Sequence, residues 1–219
     1  MQKYIVVGIA VVIAVGVAAW LSYSPDPTEG LDPVRPNEST GTTSTEAVDP
    51  AANVKTYAIV TDESSIDWEG SKPTETHIGG FAEFAGTVKV PDGNLEKAQV
   101  ELTVQMDSLY SDAGGLTDVM KDPSFFDVAT HPTSTFKTTG ITKGEKPDEY
   151  MVTGDFMLNG ITKNITFPAT ITLEGDVLKT NAEFAVNRLD WNVVYQGLIP
   201  DEIIRDNALI RYDVVAKAE

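Results

Sequence analysis

Between residues 98 and 106 apolar and polar side chains alternate without interruption. Ala98, Val100, Leu102, Val104 and Met106 fall on one face, Gln99, Glu101, Thr103 and Gln105 on the other. A period of two belongs to a strand with one buried and one wet face. The same rhythm sets Ile165, Phe167, Ala169, Ile171 and Leu173 against Thr166, Pro168, Thr170, Thr172 and Glu174. Tyr150, Val152, Gly154, Phe156 and Leu158 mark a third strand, and Ala182, Phe184 and Val186 begin a fourth. Turn sequences separate the runs, at 91–94, 143–148, 159–160 and 174–176. Asn159-Gly160 is the sharpest of them, because it fits a two-residue type I′ hairpin, which needs positive φ at both positions. One short stretch, 116–121, reads as helix and is stopped by Pro123. About eight strands are therefore expected over residues 54–219, an all-β antiparallel domain. Alternation alone fits a sandwich and a closed barrel equally.

The first 53 residues break this rhythm. Residues 5–23 carry no charge and are mostly Val, Ile and Ala. As a helix they would be about 28 Å long, enough to cross the hydrocarbon core of a bilayer. Lys3 precedes the run while Asp26, Glu29 and Asp32 follow it, so the positive-inside rule puts the N-terminus in the cytoplasm and the domain outside. A cleaved signal peptide is the competing reading, since Val17, Ala18 and Ala19 supply small residues, but bulky Trp20 follows them directly. Residues 1–23 are thus expected to be an N-terminal membrane anchor or signal segment in the inner membrane, with the domain on the periplasmic or extracytoplasmic side. Residues 24–53 hold five prolines, a Ser/Thr-rich run and six acids against the single base Arg35. That composition predicts a disordered linker.

Charge and composition narrow the function. The net charge of −17 repels a polyanion over the whole surface, and no Lys/Arg cluster offsets it, so nucleic acid is excluded as a partner. The absence of cysteine excludes disulfides, thiolate metal sites and thiol nucleophiles. His77 and His131 are the only histidines and stand in no metal-ligand spacing. There is no Gly-x-Ser-x-Gly elbow, dinucleotide fingerprint or Walker loop. No catalytic residue, metal or cofactor is assigned.

Four segments carry a resemblance. SFFDVATHPTSTF at 124–136 and GDFMLNGITKNITFPATI at 154–171, with GGFAEFAGTVKV at 79–90 and NRLDWNVV at 187–194, resemble in order and spacing the YceI-like family of polyisoprenoid-binding proteins. The resemblance covers about residues 55–216. It implies an elongated, lipocalin-like antiparallel barrel around an apolar channel that holds an isoprenoid or another long-chain amphiphile. The long anchor and acidic linker depart from the cleaved signal peptide frequent in that family, which puts free movement through the periplasm in doubt.

Alternation and resemblance together select the candidate lipid contacts: Phe84, Val100, Leu102, Val104, Phe136, Phe156, Leu158, Phe167, Ile171 and Phe184. Without the resemblance, the same side chains would as readily fill a solid barrel. Phe81 and Phe84 are three apart and cannot share a face of a regular strand, so a bulge at Gly79-Gly80 or a ring at the mouth is expected. Arg188 is the candidate for a lipid head group, with a surface pair to a neighbouring Asp as the plainer account. His131, before Pro132, reads as a turn residue. The function these readings support is an exported, membrane-tethered, non-enzymatic lipid-binding protein, and a homodimer stays open. The alternative is an envelope interaction domain with a filled core.

Overall fold

The structure is a computed structural model that describes residues 23–37 and 53–219. The period-two segments form eleven strands: β1 (Val54–Ile59), β2 (Ser65–Lys72), β3 (Glu75–Phe81), β4 (Phe84–Pro91), β5 (Gln99–Gln105), β6 (Leu109–Ser111), β7 (Thr133–Lys143), β8 (Glu149–Leu158), β9 (Ile161–Glu174), β10 (Val177–Asn187) and β11 (Asn207–Ala218). One helix, α1 (Gly114–Lys121), stands between β6 and β7 and ends at Asp122-Pro123. Every strand pairing is antiparallel. The strand order β1-β4-β5-β7-β8-β9-β10-β11 returns to β1, because Tyr57, Ala58 and Ile59 pair with Ala218, Lys217 and Ala216. The fold is thus a closed eight-strand barrel, lipocalin-like, and the sandwich alternative falls away.

The remaining strands β2, β3 and β6 continue three of those eight staves after a break. β1 and β2 both pair with β11 on one side, separated by a short 3₁₀ turn, Thr61–Glu63. β3 and β4 are parted by Ala82 and Glu83, and β5 and β6 by Met106–Ser108. The three breaks lie side by side: Thr61 donates through its hydroxyl to Phe84 O, and Glu83 N–H donates to Ser108 Oγ at 2.9 Å. Here the wall bends, and the inside-outside phase of each stave is reset. That resolves the Phe81 and Phe84 puzzle. The two-residue break, not a bulge at Gly79-Gly80, lets Phe81 line the interior while Phe84 packs inward with Ile66 and Val104. Gly79 has another reason to be glycine, since a Cβ there would lie 2.0 Å from Tyr110 O and 2.6 Å from the Trp68 ring.

Tight turns close the lower end. Asp92 and Gly93 have φ of +51° and +71° between β4 and the 3₁₀ turn Leu95–Lys97, and Gly175 has +62° between β9 and β10. At the upper end the Asn159-Gly160 hairpin has φ of +50° and +71°, both positive as the type I′ expectation requires.

The upper half of the wall is interrupted in two places. Beyond Gln105 and Thr133 no ladder joins β6 to β7, and α1 with the loop 122–132 covers the gap through Leu116, Met120, Phe125 and Phe126. Beyond Thr170 and Asn181 the β9–β10 ladder also stops. There the chain's own N-terminal part fills in. Val34 bridges Val186 in parallel and donates its N–H to Ala185 O at 2.8 Å, while Asn37 N–H donates to Asn164 O at 2.7 Å. At the other end of this strap, Ser24 N–H donates to Pro73 O at 2.7 Å and Arg205 donates to Ser24 O and Pro25 O. Residues 24–37, expected as disordered linker, are therefore tied along the upper barrel, because backbone donors can enter a splayed seam whatever the composition around them. Residues 38–52 and the expected anchor up to residue 22 lie outside the described residues. Among the described residues no helix is long and apolar enough to cross a membrane.

Candidate functional site

Inward-facing residues of all eight staves surround a cavity of about 340 Å³, within the range of about 300–1,000 Å³ usual for small-molecule pockets. It runs nearly the length of the barrel, from Leu95 and Leu178 near the lower turns to Ile199 and Ile204 at the upper rim. The wall follows directly from the alternation. β5 contributes Val100, Leu102 and Val104; β8 contributes Val152, Phe156 and Leu158; β9 contributes Ile165, Phe167 and Ile171; β10 contributes Leu178, Phe184 and Val186. β7 gives Ser134 and Phe136, then slips register between Thr138 and Gly140 so that Ile141 also turns inward. At that bulge the Thr138 hydroxyl accepts the Val100 N–H at 2.8 Å. Gly154 on β8 makes room for Phe136, whose Cζ would stand 2.4 Å from any added Cβ.

Nine of the ten lipid contacts expected from sequence line this cavity: Val100, Leu102, Val104, Phe136, Phe156, Leu158, Phe167, Ile171 and Phe184. Phe84 does not, being buried at 6 % exposure between Ile66 and Val104. Aromatic rings give the wall stiffness. Phe167 stacks on Phe184 with centroids 4.3 Å apart and planes 12° apart, and its edge meets Tyr212. Sequence reasoning missed Tyr212, Trp68 and the α1 side, Leu116, Met120, Phe125 and Phe126, all of which line the cavity. Alternation within β2 and β11 signals the first two, but α1 and the following loop carry no period that points inward.

Polar atoms are few along the wall. Burial pushes the Tyr212 phenol up to about 12, only partly offset by the Thr180 hydroxyl 3.5 Å away, so it stays neutral at any physiological pH. Trp68 Nε1 is buried with no hydrogen-bond partner among the described residues.

Arg188 lines the cavity toward the upper rim, and it is not the surface residue of the plainer account. It is 6 % exposed and pairs with Asp201, with Asp206 Oδ1 3.7 Å away. Nη1 and Nη2 donate to the two carboxylate oxygens of Asp201, each at 2.9 Å, and further bonds run to Val193 O, Ile204 O and Arg205 O. With its guanidinium engaged in this way, Arg188 knots the loop between β10 and β11 onto the barrel. Partial burial works to raise the Asp201 carboxyl, but the Arg188 guanidinium and the Tyr195 N–H outweigh it and hold the group below the usual carboxylate range. Trp191, fully buried, donates Nε1 to Phe156 O at 3.2 Å and packs against the Phe156 ring. His131 sits against the turn at Gly160 and accepts no role in a cluster, while His77 contacts Asp112 and Glu75. Among the described residues no group of His and acids is arranged to hold a metal.

The model of the YceI-like domain matches residues 57–216. Curated relatives include a UPF0312 protein of Azotobacter vinelandii, 31% identical over 97 residues, and Protein YceI of Salmonella arizonae, 31% identical over 98 residues. These alignments cover 44% and 45% of this chain and half the length of each relative. Among solved structures, BcnA of Burkholderia cenocepacia superposes with a TM-score of 0.66 at 21% identity, covering 73% of this chain and 99% of that one. A polyisoprenoid-binding domain from Saccharophagus degradans superposes at 0.58 and 15% identity, covering 74% and 98%. At these identities the structures speak for the shared barrel.

Proposed function

Because the chain belongs to the YceI-like domain family, we propose that its barrel holds a polyisoprenoid or similar long-chain amphiphilic lipid, as a binding protein and not an enzyme. The observation that carries this reading is the continuous apolar cavity, long and narrow, bounded by aliphatic and aromatic side chains from every stave. Such a space rewards a hydrocarbon chain by about 0.8 kcal/mol for each methylene removed from water. Part of that gain offsets the ordering of the chain on binding. The solved domain from Saccharophagus degradans, described as polyisoprenoid-binding, supports the ligand class by its shared fold. A filled core, which the interaction-domain alternative requires, does not match a cavity of this size.

Export and tethering complete the proposal. The uncharged run 5–23, flanked by Lys3 and by three acids, supports an anchor in the cytoplasmic membrane with the barrel on the far side. A barrel held beside the bilayer meets its lipid at high effective concentration without added contacts.

The test is mass spectrometry of an organic extract of the purified full chain. A co-purifying long-chain lipid is expected in wild type and is expected to be strongly reduced in Ile165→Trp, where the added ring enters the cavity. Empty extracts from wild type, together with no uptake of added polyprenol, would overturn the reading.

A further inference from the structure

The two ends of the barrel differ in their exposed apolar side chains. At the upper rim Leu198 is fully exposed, at 101 %, and Ile199, Ile203 and Leu189 are 39 %, 41 % and 40 % exposed. At the lower end only Val54 is comparable among the described residues. The upper residues stand on the loop that Arg188 and Asp201 knot in place, so their exposure is held by a partly buried ion pair. Ile199 belongs both to the surface and to the cavity wall.

A second observation says what covers them. Next to the strap, the Tyr23 ring lies 5.7 Å from the Arg205 guanidinium, and Arg205 closes the same loop. Tyr23 is also the last residue of the uncharged run 5–23. The uncharged run is thus joined in sequence to a residue held against the loop that carries Leu198.

We propose that the upper rim, led by Leu198, Ile199 and Ile203, docks into the surface of a lipid bilayer, so that the cavity opens onto the membrane and lipid enters without crossing water. Its chemistry is that of a shallow apolar insertion of the interfacial kind. The surface it fits is zwitterionic, because a chain of net charge −17 is repelled by an anionic one. Docking builds on the reading of the cavity as a lipid site, yet the measurement below reports membrane contact whether or not the cavity is filled.

The chain has no cysteine, so a single Leu198→Cys carries one environment-sensitive fluorophore. Lys146→Cys, on the lower turn where the side chain is 80% exposed, is the reference. The full-length proteins are reconstituted into phosphatidylcholine vesicles with and without brominated phosphatidylcholine. Quenching several-fold stronger at position 198 than at 146 is expected. Equal quenching at both positions, or none at 198, would overturn the proposal. So would a blue shift at 198 that grows with protein concentration and needs no vesicles, which would show a second copy covering the rim.

Discussion

The lower and upper halves of this barrel are made from the same alternating strands but are closed by different means. Below, eight staves run into one another through backbone ladders and tight turns, and the ring is complete. Above, three staves bend at aligned breaks and two seams lose their ladder. Those seams are covered by α1 with its loop and by the strap at 24–37, while a knotted loop forms the rim. The difference separates what holds the fold from what lets a ligand through. A ladder must be broken bond by bond, whereas a covering segment can move as a unit.

The largest effect is expected where the upper half depends on a single group. Arg188→Met leaves Asp201 without its partner in a partly buried loop and should cost about 3–5 kcal/mol in urea unfolding. The hydrogen-exchange loss should centre on 188–206, with the lower ladders still protected. Next, Leu178→Ala in the lower half removes a side chain 2 % exposed and should cost about 2–4 kcal/mol in the same assay, without local fraying. Uniform loss of protection in both variants would erase the distinction between the halves.

A finer comparison uses two glycines that share a φ of +71°. At Gly93, on the lower turn, an added Cβ meets nothing within 4 Å, whereas at Gly160 it stands 3.0 Å from His131 Cε1. Gly93→Ala should show only the strain of a positive φ, about 1 kcal/mol. Gly160→Ala should cost more by thermal melting, and the excess should vanish in the His131→Ala background. The smallest effect concerns pH. Asp201 has its carboxyl lowered in the folded state, so its stabilising share is present above the unfolded pKa and is lost as pH falls through the folded one. The Tyr195 amide, which donates to Asp201 at 2.7 Å, should lose exchange protection on acidification before amides of the β10–β11 ladder near Leu178.

The lower half was the more legible in the sequence, for a physical reason. Period-two alternation reports which face of a strand is dry, and it holds along the unbroken strands β8, β9 and β10 into the upper half as well, so nine of the ten expected contacts line the cavity. Phe84 points inward as its alternation predicts but is covered by Ile66 and Val104 at the stave break, and alternation reports the face a side chain takes, not which neighbour lies over it. The strap was hidden because its anchoring uses the backbone N–H groups of Val34 and Asn37. Prolines and acids describe how poorly 24–37 could form a core, not whether an open seam elsewhere offers it acceptors. The partner of Arg188 lay thirteen residues ahead in an irregular loop, where no periodicity points.

The ring closes through β11, which pairs with β10 along one side and with β1 and β2 along the other. Until residues 207–218 have emerged, both flanking strands show bare edges, and no local contact can substitute for the missing stave. Closure of the ring therefore rests on a long-range encounter with β11, and until it is made the open edges depend on being kept apart from those of neighbouring chains.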